Sequence, residues 1–250
     1  MLAVTLFWSA NELEQNPRHS WLLVSPLEDA KLEDAIRSHP HVFVVDLVET
    51  VAESRRAQSR DSARSAVTKF SASAEVFGLA HRDTLKADLD ALVWPGLDGV
   101  LISSTQSAQD VLDCGALLTD LEADRGLAPG AIQIVPSLDT ALGNHQAMQI
   151  ATAAPRVWGL TLGRADLEMD LRPEPSGEFH LLPYLMQRLA IVAGAAGVTP
   201  LGAWWRPPAR GLLAGVDDTY HAAVRGKAMG LQGAIVLADH QVAPVNRAYA

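Results

Sequence analysis

Residues 132–162 read IQIVPSLDTALGNHQAMQIATAAPRVWGLTL. The stretch opens and closes with short apolar runs, Ile132–Val135 and Val157–Leu162, and a segment with a helical pattern, 141–153, lies between them. Short apolar runs that alternate with amphipathic segments are typical of β-α units that bury a parallel sheet. This stretch therefore predicts two parallel strands joined by a helix.

The same alternation extends along the chain. Further strands are predicted at Trp21–Val24, Val42–Asp46, Glu75–Ala80, Gly99–Ser103, Leu201–Trp205 and Ala234–Leu237, and further helices at 28–38, 50–70, 84–93, 106–124, 179–196 and 216–229. Eight strands with helices between them favour a closed (β/α)8 barrel, the TIM barrel, because an open doubly wound sheet would normally show a Gly-rich phosphate loop after its first strand. We predict an α/β fold with a single TIM-barrel domain over residues 1–250, in which residues 1–19 form an N-terminal arm or an extra strand.

Composition restricts the partners and the compartment. A formal charge of −9 argues against a nucleic-acid partner, because phosphate binding needs a basic face. The lone Cys114 excludes an internal disulfide framework and a Cys-rich zinc site, and it is expected to be a core residue. The apolar start MLAVTLFW is too short to span a bilayer and lacks the features of a signal peptide, so a cytoplasmic protein without a membrane partner is predicted.

Polar residues follow several of the predicted strands, at the end where TIM barrels carry their active sites. Asp139 and Asp166 follow the fifth and sixth strands. Paired carboxylates at such a face are the usual arrangement for a hard divalent cation. Taken singly, each Asp is better explained as the N-cap of the next helix, and only the pair favours a metal site, so both interpretations stay open.

Five segments, in order, resemble the HpcH/HpaI aldolase superfamily and its citrate lyase beta subunit-like branch. They read VVDLVETVAESRRAQSR, LDGVLISS, VPSLDTALGN, VWGLTLGRADLEMDL and GLQGAIVLADHQVAPVNRAY. The resemblance implies a Mg²⁺-dependent carbon–carbon bond lyase, with Mn²⁺ as the alternative ion, that is often a homo-oligomer (trimer or hexamer). It also implies metal ligation by a Glu after strand five and an Asp after strand six, positions that hold Asp139 and Asp166 here.

The chain departs from the family pattern where charge is expected. The family's V-R-x-N has Gly78 and Ala80 at its Arg and Asn positions, and its Pro-Lys after strand four is Ser103 and Ser104. Two hypotheses follow. In the first, the chain is a lyase for a 2-oxo acid or acyl substrate, coenzyme A esters included, with Asp46 or Glu49 as acid/base groups, Arg206 or Arg82 as the anion contact, and Ser103, Ser104 and Gly163 at the substrate. In the second, it is a non-catalytic barrel that acts as a binding or scaffold subunit.

Overall fold

The computed structural model describes residues 17–163, 181–203 and 211–250. Within these ranges eight strands follow one another along the chain: β1 (Ser20–Val24), β2 (Val42–Asp46), β3 (Glu75–His81), β4 (Gly99–Ser103), β5 (Gln133–Pro136), β6 (Gly159–Thr161), β7 (Thr199–Leu201) and β8 (Ala234–Val236). The strands are rich in Val, Ile and Leu, and most of their side chains are buried. Apolar side chains on both faces are what a parallel sheet covered by helices requires.

Helices connect the strands. They are α1 (Asp29–Arg37), α2 (Arg56–Phe70), α3 (Leu85–Leu92), α4 (Ala108–Asp124), α5 (Ala141–His145), α6 (Ala147–Ala151), α7 (Leu181–Ala196), α8 (Val216–Ala228) and α9 (Val242–Tyr249). Helix α4 has a well-defined start, because Ser107 and Asp110 form a capping box. Within the described ranges, none of the helices combines the length and the apolar character needed to cross a bilayer.

The strands pair in parallel. Six of them form one sheet in the order β5-β4-β3-β2-β1-β8, and β6 pairs with β7. Parallel bridges join Ile134 to Val157 and Ser137 to Thr161, which places β6 beside β5. On the other side, Gly202 N donates to Gly233 O at 2.7 Å, which brings the residues after β7 to the start of β8. The predicted α/β fold is therefore confirmed as a curled parallel sheet flanked by helices.

Aromatic contacts identify the two sides of the sheet. The Trp21 ring lies 4.6 Å from the Phe77 ring and 5.4 Å from the Trp158 ring, centroid to centroid, so these side chains meet on the concave side. The Phe43 ring instead stacks on Phe70 of α2 at 4.2 Å, on the helix side. Since side chains alternate along a strand, Asp46 of β2 lies on the concave side, as do Leu79 and His81 of β3.

An arginine closes the amino-terminal end of the sheet. Arg18 donates from Nε and Nη2 to the Glu75 carboxylate at 2.5 and 2.7 Å, and from Nη1 to Gln133 Oε1 at 2.6 Å. Its guanidinium also lies 4.6 Å from the centroid of the Trp158 ring. Because a partly buried charge is stable only when paired, this network stabilises the amino-terminal end of the sheet.

A buried ion pair holds the connection between α4 and β5. The Glu122 carboxylate, 1% exposed, accepts from Arg156 Nη1 at 2.6 Å and Nη2 at 2.8 Å, and from the backbone N–H groups of Gly130 and Ile132. Burial by itself would raise the pKa of Glu122, but the hydrogen bonds from Arg156 and the two amides outweigh it and lower the pKa to about 2. The carboxylate is therefore charged at all ordinary pH values.

Cys114 of α4 is fully buried, and burial raises the pKa of its thiol to about 12. A thiol that stays protonated is a poor nucleophile. The prediction that Cys114 is a core residue is confirmed.

Three expectations about elements need correction. The seventh strand was expected at Leu201–Trp205, but β7 begins at Thr199, because its backbone pairs with β6 through Gly159. The helix expected over 141–153 is interrupted at Gln146 and becomes α5 and α6. Helix α9 was not predicted, although its Pro244 stands in the first turn, where the missing N–H costs nothing.

Candidate active site at the carboxyl ends of the strands

Asp139 follows β5 and is almost fully buried, at 1% exposure. Its Oδ2 accepts a hydrogen bond from the backbone N–H of Ser104, which follows β4, at 2.8 Å. The N-cap of α5 is the next residue, Thr140, whose Oγ1 accepts from Gly143 N at 2.9 Å. The helix-cap explanation of Asp139 is therefore wrong, and the carboxylate instead joins the ends of two neighbouring strands.

Gly163, two residues after β6, lies against the same carboxylate. A Cβ atom built at Gly163 would lie 2.8 Å from both Cβ and Cγ of Asp139, closer than real side-chain contacts allow. Only glycine fits this approach without moving the neighbouring loop. The structure thus brings together Ser104, Asp139 and Gly163, three of the residues that the sequence singled out.

Gly143 shows a second close approach. A Cβ atom there would lie 2.2 Å from the backbone O of Thr105 in the loop after β4. The side-chain amide of Asn144 adds bonds to Leu138 O at 2.8 Å and Thr140 O at 3.1 Å. The loop that carries Asp139 is therefore bonded to itself and packed directly on the loop that carries Ser104.

Polar side chains form one level of the sheet, meaning a row of residues in register across neighbouring strands, just before Asp139. His81 is in register with Ser103, and Ser137 is in register with Thr161. Ser103, Ser137 and Thr161 are buried. The level beneath is apolar, with Leu79, Leu101 and Val135 in register. The concave side thus changes from apolar to polar directly beneath the candidate site.

Asp46 is buried at the end of β2, but its carboxylate organises its own loop. Oδ1 accepts from the N–H groups of Val48 and Glu49, both at 2.8 Å. Oδ2 accepts from Thr50 N at 2.6 Å and Thr50 Oγ1 at 2.5 Å. A carboxylate has about four acceptor positions, so this geometry favours a structural function over the acid/base function expected from the sequence. Glu49, the other expected acid, is exposed.

Gly78, which stands at the position of the family Arg, does not face the candidate site. A Cβ at Gly78 would lie 2.7 Å from the Cδ atoms of Leu92 in α3, so this position faces the helices, not the concave side. The inward neighbours on β3 are Leu79 and His81. Arg82, the suggested substitute, pairs with the exposed Asp83 at 3.0 Å. Position 78 therefore does not present a side chain to the concave side, because strand alternation, which a sequence motif does not show, decides the side.

Asp166 and Arg206 lie outside the described residues. Across the ranges that are described, no three His, Cys, Asp or Glu side chains gather into a metal site. Asp139 nevertheless fits one part of such a site, because Mg²⁺ is commonly held by one or two carboxylates together with water and substrate oxygens. Buried oxygen donors of Ser103, Ser137 and Thr161 nearby suit the same hard cation.

Two buried polar residues were not predicted from the sequence. Asp88 accepts from Arg60 Nε at 2.7 Å, Thr84 Oγ1 at 2.7 Å and His81 N at 3.0 Å, and so fixes the end of β3. Gln241 accepts from Leu237 N at 3.0 Å and Ala238 N at 3.2 Å, and organises the loop after β8. Gln241 belongs to the segment GLQGAIVLADHQVAPVNRAY, one of the five that resemble the family, and that is the signal that could have identified it.

The profile of the family described as HpcH/HpaI aldolase/citrate lyase matches residues 20–234. Among curated proteins, citrate lyase subunit beta of Haemophilus influenzae is 31% identical over 189 residues, which cover 72% of this chain and 64% of that protein. Citrate lyase subunit beta of Escherichia coli K12 is 34% identical over 111 residues, 44% of this chain and 37% of its own length. The chain thus spans less than two thirds of the length of these relatives.

Solved structures show the same fold. The CitE protein of Mycobacterium tuberculosis, in complex with magnesium and acetate, superposes with a TM-score of 0.71 at 19% identity and covers 95% of this chain and 92% of its own. Malate synthase of Haloferax volcanii superposes with a TM-score of 0.75, also at 19% identity, over 94% of this chain and 74% of its own. With a family match that runs from β1 to the first residue of β8, the chain belongs to the HpcH/HpaI aldolase/citrate lyase family.

Proposed function

We propose that this chain is a carbon–carbon bond lyase of the citrate lyase beta-subunit type, which acts on a 2-oxo acid or an acyl substrate, coenzyme A esters included. The observation that carries the proposal is the convergence of Ser104, Asp139 and Gly163 at the carboxyl ends of β4, β5 and β6. A buried carboxylate that is held by loops and points across strand ends is typical of a site built for chemistry.

The proposal includes a complete (β/α)8 barrel in one domain. The β5–β6 bridges and the bonds between the residues after β7 and before β8 support closure, because together with the six-stranded sheet they connect all eight strands. Closure matters for function because only a closed sheet brings the ends of β2 and β6 around one common opening.

Mg²⁺ is the proposed cofactor, with Mn²⁺ as a substitute, and Asp139 and Asp166 are its proposed ligands. The donor set supports a hard cation, because it consists of carboxylate and hydroxyl oxygens. The magnesium complexes of the Mycobacterium tuberculosis protein with acetate, acetoacetate and pyruvate point to the same ion and to small carboxylates. When bound, the cation supplies positive charge that polarises substrate oxygens.

The chain's own residues supply position and environment. Ser104 N–H and Gly163 fix where the Asp139 carboxylate lies, and the polar level at Ser103 forms the floor on which a small substrate rests. The apolar level beneath excludes water from below. Arg206 is the proposed contact for the substrate carboxylate, which it can bind in a bidentate manner.

A homo-oligomer, a trimer or hexamer, is part of the proposal. Several large apolar side chains are exposed: Tyr184 at 60%, Ile191 at 71%, Leu212 at 65% and Leu213 at 77%. Large apolar side chains that stay exposed are candidates for burial in a subunit interface. Light scattering coupled to size-exclusion chromatography measures the subunit count, and a monomer at all concentrations contradicts this part.

Two measurements test the function. Calorimetric titration of Mg²⁺ and Mn²⁺ should show binding to the wild type and a loss of about tenfold or more in Asp139→Asn and Asp166→Asn, while the control Asp61→Asn, exposed on α2, should bind normally. Exchange of the C3 protons of pyruvate for deuterium, followed by NMR, detects stabilisation of an enolate. Absence of both metal binding and exchange contradicts the lyase and leaves the binding or scaffold subunit as the function.

A further inference from the structure

The backbone at Ser104 has an unusual conformation. Its φ is +57°, and within the described ranges only His39, with φ +52°, shares a positive φ among residues other than glycine. An L-residue with a side chain adopts the left-handed region only at a cost in free energy, because its Cβ crowds the following carbonyl oxygen. Such strain persists only where the surrounding structure enforces it, and it is most frequent at functional sites.

The hydrogen bond to Asp139 explains what enforces it. Ser104 N donates to Asp139 Oδ2 at 2.8 Å, and this hydrogen bond to a carboxylate offsets the free-energy cost of the backbone conformation. The next residue is held as well, because Thr105 Oγ1 donates to Ile102 O at 2.8 Å and its own carbonyl lies against Gly143. The loop after β4 is thus anchored on both sides of the strained residue.

We infer that Ser104 is a positioning residue, whose left-handed backbone aims its N–H at Oδ2 and thereby sets the orientation of the Asp139 carboxylate against Gly163. The inference rests on the proposed function, in which this carboxylate holds the cation. Asp139 stands where the family has Glu, and an Asp side chain has one rotatable bond fewer, so the hydrogen bond at Oδ2 and the close approach of Gly163 to Cβ and Cγ restrict the orientation of the carboxylate. The conformation of residue 104, not its hydroxyl group, is what the site requires.

Substitutions at position 104 separate backbone from side chain. Ser104→Gly adopts a positive φ without cost and should keep the Mg²⁺ affinity of the wild type within about threefold. Ser104→Ala, which lacks only the hydroxyl, should do the same. Ser104→Val is β-branched and resists a positive φ, so it should turn the N–H away and weaken Mg²⁺ binding by about ten- to one hundredfold.

His39 provides a matched control, because it has the same backbone conformation at the opposite end of the sheet, between α1 and β2. At both positions, the substitution to Val should lower the resistance to urea, because Val resists a positive φ, whereas the substitution to Gly should not. Neither His39 variant should alter Mg²⁺ affinity. A second readout needs no metal: hydrogen exchange of the Ser104 amide should be slow in the wild type and faster in Asp139→Ala.

The outcomes are distinguishable. A wild type that binds no Mg²⁺ overturns this inference, and if it also fails to exchange the pyruvate protons it overturns the proposed function as well. If the wild type binds, equal affinity in Ser104→Val overturns the inference alone, and so does an equal loss in His39→Val, which would reveal a general effect of instability. Should Ser104→Val fail to fold, loss of affinity in Ser104→Gly or an unprotected Ser104 amide in the wild type refutes the inference.

Discussion

Replacing Asp46 by Ala removes the acceptor around which the loop between β2 and α2 is folded. Four hydrogen bonds of 2.5 to 2.8 Å end on its carboxylate. The Val48 amide belongs to a buried residue and would lose its only described acceptor, at a cost of about 1–3 kcal/mol, whereas water can partly replace the acceptor for Glu49 and Thr50, which are exposed. We expect Asp46→Ala to lower the free energy of unfolding by about 3–4 kcal/mol.

Asp46→Asn tests the same geometry more gently. The amide has nearly the shape of the carboxylate, but one of its two ends is a donor and faces another N–H group. If the side-chain NH2 group of Asn points toward Thr50, it can donate to the Thr50 hydroxyl oxygen, and only one backbone N–H is left without an acceptor. We therefore expect the free energy of unfolding to fall by about 1–2 kcal/mol.

Urea denaturation followed by tryptophan fluorescence measures both losses, and Asp61→Ala, on the exposed face of α2, should remain within about 0.5 kcal/mol of the wild type. The refuting result is an Asp46→Ala protein as stable as that control. A stable Asp46→Asn protein that binds Mg²⁺ but does not exchange the pyruvate protons would instead restore the acid/base function.

Three further predictions concern stability. Glu122→Gln should lower the free energy of unfolding by about 3 kcal/mol at pH 7. Because the pKa of Glu122 in the folded protein lies below the ordinary 4.5, the difference in stability from the wild type should shrink as the pH falls from about 4.5 toward 2. A difference that does not depend on pH would contradict the ion pair. Gly78→Ala should cost about 1–3 kcal/mol in thermal unfolding, since its Cβ would overlap the buried Leu92; an unchanged melting temperature would contradict this close contact between β3 and α3. Gly143→Ala meets the backbone of Thr105 at 2.2 Å, so it should cost at least about 2 kcal/mol and also weaken Mg²⁺ binding, and normal affinity would separate the packing of these loops from the metal site.

Much of the scaffold could be predicted because burial selects residue types directly. The runs Val42–Asp46 and Gly99–Ser103 were assigned with the bounds that the structure shows, since a strand covered on both faces is a continuous apolar segment with turn residues at its ends. The shifted β7 shows the limit of this signal. Apolar composition continued past Leu201, whereas backbone pairing with β6 decided where the strand begins.

The candidate site was predicted as a set of strand-end residues but not as a geometry. Asp139, Ser104 and Gly163 were chosen because they follow strands, and they do meet. Asp46 was chosen for the same reason, yet its loop encloses it with N–H donors, which no pattern of residue types reveals. The metal pair with Asp166 stays a prediction.

The sequence by itself determined an alternation of buried strands and helices, with acidic and small polar residues after the strands. It could do so because the hydrophobic effect buries apolar side chains and leaves polar ones in water, whatever their position in the chain. The family follows from the same segments. Tertiary structure alone decided that Gly78 faces a helix, that Asp46 holds a loop, and that a backbone N–H with φ +57° meets Asp139. Those outcomes depend on strand register, on side-chain alternation and on backbone torsion, which link residues far apart in the chain and are not properties of any residue by itself.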